Sequence, residues 1–238
     1  MNLAQFRTVL ASTACIAAAG VSIAAPLMAA PAAGYSEQYT FRINGKVIGK
    51  QTAELISLDG DSQRWRYQLD LKVPGGGKTI TLLENGIFAV TASGQPLSYE
   101  TSASLDGQSQ KEALTFRTGN VSVILDPPQA AVPGKIAIAG TPFLIANNNL
   151  TAWSIISRAN RPKTTGVTTW QMFSANALQP VVATLSAMGA ETVKIGGQDV
   201  ACHVYSVFPI GNRFWIADVT GELVKDADPS QKLEIVKE

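Results

Sequence analysis

The sequence predicts a mainly β protein: a large curled antiparallel sheet or open half-barrel with one inserted α-helix on its concave face. Three observations predict it. Apolar and polar residues alternate with a period of two along most of the chain. Short turn sequences such as "NG", "LDGD", "SGQP" and "RTGN" separate the alternating stretches, and connections so short can join only antiparallel neighbours. The stretch "TPFLIANNNLTAWSIISRAN" breaks the pattern, because Leu150, Trp153 and Ile156, with Ala152, Ile155 and Ala159, recur at the three- and four-residue spacing of a helix.

The first 33 residues read as a secretory leader rather than as part of the fold. Arg7 precedes an Ala-rich apolar run, and "MAAPAAG" places Ala30 and Ala32 at the −3 and −1 positions of a cleavage site. Cleavage is expected near Ala32 or Ala33, leaving 34–238 as a single antiparallel β domain. A lipoprotein anchor at Cys15 fits less well, since the apolar run between Arg7 and Cys15 is short. No later apolar run reaches the roughly 18 to 20 residues of a membrane span, so no integral span is expected. The mature chain is expected to be soluble in the periplasm or outside the cell.

The strands follow in order. Tyr39, Phe41 and Ile43 alternate with Thr40, Arg42 and Asn44 before the "NG" hairpin turn at Asn44 and Gly45. The second arm runs from Lys46 to about Ser57. After "LDGD", "RWRYQLDLKV" puts Trp65, Tyr67, Leu69, Leu71 and Val73 on one face and charged or amide side chains on the other, as in a strand with one wet face. "TITLLENGIFAVT", "PLSYETSASL", "KEALTFRT", "NVSVIL" and "KIAIA" continue the meander. A cluster of Pro, Asn and Gly over 126–165 surrounds the helix, expected over about 148–160. Asn147 to Asn149 are placed to cap its start, and Pro162 to stop it. Beyond it come "VTTWQMFSA", "QPVVATLSAM", "AETVKIG", "QDVACHVYSVF", "NRFWIADV", "GELVKDA" and "QKLEIVKE". A helix of about three turns needs an apolar surface to persist, and the sheet's hollow supplies one, with Trp153 as its plug.

Charge and composition exclude some functions. Without Arg7, 18 basic residues balance 18 acidic ones, and no basic cluster exists to displace counterions from nucleic acid. Only Cys202 follows the leader, so no internal disulfide is expected. "PGGGKTI" has Lys72 where a phosphate-binding loop needs its first Gly, and a strand follows it, so it reads as a hairpin loop. His203, the lone histidine, alternates onto the face opposite Cys202, which rules against a Cys/His pair and reads as a packed or edge histidine. Asp59 with Asp61, and Asp226 with Asp228, read as turn chemistry rather than calcium ligands. No catalytic residue, metal site or cofactor is assigned, and an enzyme is not expected.

Aromatic residues spread over the strands and helix suggest core, and some could line an apolar hollow. The candidate ligand-binding residues are Trp153 and Ile156 on the helix, Arg158 and Arg161 at its end, and Trp65 and Tyr67 on the facing strand. A lipid-like or other apolar small molecule is the expected partner.

The tail "RFWIADVTGELVKDADPSQKLEIVKE" carries a resemblance. Trp215, a short turn at Gly221, "LVK" at Leu223 to Lys225 and a last amphipathic strand are similar to the closing hairpins of exported bacterial domains of unknown function. These in turn distantly resemble the lipoprotein carriers LolA and LolB. The resemblance covers about the last 45 residues and elsewhere the order of elements. It implies a curled half-barrel with helix material in its concavity, in some cases used for apolar ligands, and it assigns no catalytic residue. No residue here matches the carriers' acyl-binding arginine. The leading expectation is therefore a non-enzymatic envelope protein that binds an apolar or amphiphilic ligand; the other is a structural or interaction protein without a cavity.

Overall fold

The computed structural model describes residues 31–146 and 149–238. The leader, its cleavage site, Cys15 and the capping role given to Asn147 and Asn148 fall wholly or largely outside the described residues. Eight strands precede the helix region: β1 (Ser36–Ile43), β2 (Lys46–Asp59), β3 (Ser62–Gly75), β4 (Lys78–Thr91), β5 (Pro96–Leu105), β6 (Gln108–Arg117), β7 (Asn120–Asp126) and β8 (Lys135–Ala137). Then come β9 (Phe143–Ile145), α1 (Leu150–Ala159), β10 (Val167–Ser174), β11 (Gln179–Ile195), β12 (Gln198–Phe208), β13 (Asn212–Ala217), β14 (Leu223–Asp228) and β15 (Leu233–Lys237).

All 15 strands form one sheet in the order β8 to β1, then β15 to β9. Each half is an antiparallel meander apart from β9, and β1 pairs antiparallel with β15, so the first and last described strands lie side by side in the middle of the sheet. The mainly β, curled and open architecture is the one the alternation predicts. The Pro-, Asn- and Gly-rich 126–165 region carries the two outermost strands, β8 and β9, together with the helix. Those edges are not hydrogen-bonded to each other. Side chains bridge the seam: Phe116 of β6 meets Phe173 of β10 edge-to-face at 5.6 Å.

Local chemistry explains the turns. Asn44 and Gly45 both have positive φ, the geometry that a two-residue hairpin needs to match strand twist. Gly76 and Gly77 close the β3–β4 hairpin, which is what became of "PGGGKTI". Three expectations change. "QPVVATLSAM" and "AETVKIG" form one strand, β11, because Gly189 accommodates a bulge opposite Tyr205 and Val204 rather than a break. "FLI" before the helix is a strand, β9, pairing parallel with β10, which the long connection through α1 permits. Asp226 lies within β14 and is buried, because its alternation phase puts it opposite Phe214 and Ile235; Asp228 does hold a turn, accepting from Ser230 N at 2.8 Å.

The helix is not one-sided. Every residue from Leu150 to Ser157 is buried, because the curled sheet wraps it. Leu150, Trp153 and Ile156 join a cluster with Tyr39, Phe41, Trp170, Phe214 and Ile235. Ile155 joins a second cluster with Trp65, Tyr67, Phe88 and Phe173. The polar positions on the helix find sheet partners: Gln51, fully buried, accepts from Leu150 N and donates to Thr151 Oγ1, both at 3.0 Å. Asn149 Oδ1 accepts from Ala152 N at 3.2 Å, the expected cap.

Candidate functional site

The predicted residues do not gather in one place. Trp153 packs edge-to-face on Phe214 at 4.9 Å and tilted against Trp170 at 6.3 Å, while Ile156 lies in the same core. Trp65 and Tyr67 belong to the other cluster, with Trp65 stacked parallel to Phe88. Arg158 reaches Trp65, lying 5.9 Å from its ring centre and 5.8 Å from that of Tyr35. Arg161 donates to the carbonyls of Asp218 and Val219 at 2.7 and 2.5 Å, fastening the β13–β14 loop.

Arg158 is part of a four-charge cluster at the helix end. Its guanidinium lies 3.5 Å from Glu37 and 3.2 Å from Glu222. Lys237 Nζ lies 3.5 Å from Glu37 and 2.9 Å from Glu222. The Tyr35 hydroxyl donates to Glu222 at 2.8 Å. Two cations thus face two carboxylates, and the Glu37 side chain is fully shielded from solvent. Burial opposes ionisation of Glu222, yet Lys237, Tyr35 and Arg158 hold its carboxyl below the usual range. Burial likewise opposes the charge on Lys237, but Glu37 and Glu222 keep it above the ordinary value. Such a cluster fixes α1 to β1, β15 and the β13–β14 loop and leaves its charges satisfied within the protein.

A second network lies on the inner face of β3–β5. The Tyr67, Tyr99 and Thr101 hydroxyls converge on one carboxylate oxygen of Glu84, and the two tyrosine oxygens are 2.7 Å apart. Burial, and then Glu84, push the Tyr67 hydroxyl well above its ordinary pKa; burial, and then Tyr67 and Glu84, do the same for Tyr99. They therefore remain hydrogen-bond donors at neutral pH and are poorly matched to proton transfer there.

His203 is half-buried, with Nδ1 2.5 Å from Asp218 Oδ1. Cys202 faces the other way, fully buried with Val204 and Trp215, and burial pushes its thiol up to about 11. A protonated, enclosed thiol on the opposite face from the imidazole is not an activated nucleophile.

Sequence reasoning missed a trough of about 520 Å3 on the convex face of β3–β7. Two neighbouring cross-strand rows form it. One runs Arg66, Ile87, Glu100, Ala113, Ile124 and the other Gln68, Asn85, Ser102, Lys111, Asp126. Ala113 and Ile124 are adjacent apolar positions, Glu100 separates them from Ile87, and Arg66, Lys111 and Asp126 add charges of both signs. The signal was an isoleucine on the wet face of its strand; Ile124 is 69% exposed.

No family model and no curated protein matches the chain. Solved structures do. The chain is similar to a β-barrel-like protein of the domain of unknown function DUF1849 from Brucella abortus, at 10% identity and a TM-score of 0.54, covering 85% of this chain and 94% of that one. This likeness concerns the fold. A DUF1089 family protein from Pseudomonas aeruginosa aligns at 10% identity and a TM-score of 0.48, over 90% of this chain and 98% of that one. The hypothetical lipoprotein YmcC from Escherichia coli aligns at 15% identity and a TM-score of 0.32, over 89% and 90%. Among the described residues no helix is long and apolar enough to cross a membrane.

Proposed function

We propose that the protein is an exported, non-enzymatic binding protein of the bacterial cell envelope for an apolar or amphiphilic small ligand, held in the convex trough. The trough itself carries this reading. Its volume falls within the roughly 300 to 1,000 Å3 of small-molecule sites, and its apolar Ile87, Ala113 and Ile124, set among Arg66, Glu100, Lys111 and Asp126, suit an amphiphile with a zwitterionic headgroup. The hollow, where Trp153, Ile156, Trp65 and Arg158 were expected to meet a ligand, holds the helix in its place. Export rests on the leader-like residues 1–33, and the LolA-like carrier resemblance belongs to the same proposal.

A structural or interaction role without a ligand is the second reading, favoured by that helix-filled concave face. Thermal unfolding with dodecylphosphocholine below its micellar concentration separates the two. A binder gains stability through mass action, about 2.7 kcal/mol at a hundredfold excess over Kd, and Ile87→Asp or Ile124→Asp removes the gain. An equal gain in both variants overturns the trough as the site, and no gain in the parent protein favours the second reading.

A further inference from the structure

The trough continues past β7. The outer edge of that strand is paired with β8 only at Asn120–Ser122. Beyond them the edge is flanked by the 127–134 connection, which is tied on where the Val123 N–H donates to the Gly134 carbonyl at 3.0 Å. A turn in that connection, closed by the Val132 N–H donating to the Gln129 carbonyl at 3.0 Å, sets Pro128 and Val132 around a second cleft of about 230 Å3. Val123, Ile124, Leu125 and Gln129 complete its lining. Ile124 lines both the trough and this cleft, so the two meet at its largely exposed side chain.

The joined cavity changes chemistry along its length. Over β3–β5 it offers Arg66, Gln68, Asn85, Glu100 and Ser102, with a single aliphatic side chain, Ile87. On β6 and β7, Ala113 and Ile124 are direct cross-strand neighbours, and Lys111 and Asp126 on the next row face each other at 3.9 Å. None of the six residues that line the cleft is charged. Hydrogen-bonding groups therefore collect at one end and aliphatic ones at the other, which is the polarity of an amphiphile laid across the strands.

We infer that the cleft beside Ile124 receives the alkyl tail of the ligand, whose headgroup lies over β3–β5 and whose chain crosses Ala113 and Ile124 and passes over the β7 edge to Pro128 and Val132. The inference rests on the trough reading and adds to it the orientation of the ligand and its class, a long-chain amphiphile. Covering Ile124 and filling an aliphatic cleft removes apolar area from water, and the gain rises with each methylene that passes Ile124. Chain length is then what the protein selects.

Isothermal titration of the protein isolated from its producing cells with octyl-, decyl- and dodecylphosphocholine, each below its own micellar concentration, tests it. A methylene fully buried tightens binding about fourfold and one half-covered about twofold, so the dodecyl homologue should bind at least about tenfold more tightly than the octyl one. Pro128→Asp, at an exposed position, and Val132→Ser should each shrink that ratio to about threefold or less, while Phe208→Ser, on the other half-sheet, should keep it. Homologues of equal affinity, or a ratio undiminished in both cleft variants, overturn the inference; the trough still stands as the site if Ile87→Asp abolishes binding of all three. No binding of any homologue to the parent protein overturns the inference and the trough reading together.

Discussion

Asp226 is an acid placed among core side chains. Asn212 Nδ2 donates to both of its oxygens, at 2.8 and 3.0 Å, but burial, with Asp228 nearby, pushes its carboxyl up to about 7. The folded protein holds this proton up to about that pH, whereas the unfolded chain releases it near the ordinary value of 3.8. Stability should therefore fall as pH rises through that window and level off above it, by at most about 4 kcal/mol from this group. Urea unfolding from pH 4 to 8 should show the fall in the parent protein and a flatter profile in Asp226→Asn. Gly49 makes the opposite kind of demand, for absence of a side chain: its φ is +153°, and a Cβ there would lie 1.9 Å from the Asp70 carbonyl oxygen. Gly49→Ala should cost about 2 to 4 kcal/mol in the same assay. Glu37, Glu84 and Lys237 fall in phase with apolar neighbours on their strands, which marks a charge aimed at the core; Asp226 does not, because a register shift at Val224 changes the phase of β14. What cannot be read from one chain is the partner, because the members of the Glu37–Arg158–Glu222–Lys237 cluster are brought together from remote positions by the fold.

Strand faces and hairpins were legible because a period of two and a turn such as Asn44–Gly45 are local signals. The helix was legible by its spacing and cap. Its burial on every side was not, because the amount of sheet that wraps an element is a property of the sheet. Nor was β9, whose three residues are too few to display a period. The helix end is where this matters energetically. Arg158→Ala leaves the buried Glu37 with Lys237 as its remaining cation beside the Tyr35 and Tyr39 hydroxyls, and a cost of about 3 to 5 kcal/mol is expected. Arg158→Lys should recover part of it, as a point charge replaces a two-sided fork. A loss of less than about 1 kcal/mol in Arg158→Ala would mean that the cluster does not hold the helix.

At the scale of the molecule, the pairing of β1 with β15 makes the sheet continuous and leaves its edges at the middle of the chain. Such a join depends on contacts of the longest sequence separation, so it could not be inferred from the order of strands. Removing 233–238 would expose the facing sides of β1 and β14 in the centre of the sheet and delete Lys237 from the charge cluster. The truncated chain should lose its single cooperative unfolding transition, as followed by far-ultraviolet circular dichroism. The curled sheet also encloses α1, which divides the molecule into a filled hollow and an open convex face.

That division is the central claim, and Trp153→Ala tests it most directly when stability and ligand response are measured on the same sample. If the helix is fixed core and the ligand lies outside, the substitution costs about 3 to 5 kcal/mol in urea unfolding, while the stability gained from dodecylphosphocholine persists. A variant as stable as the parent protein that no longer responds to the amphiphile would contradict the account and place the ligand in the hollow.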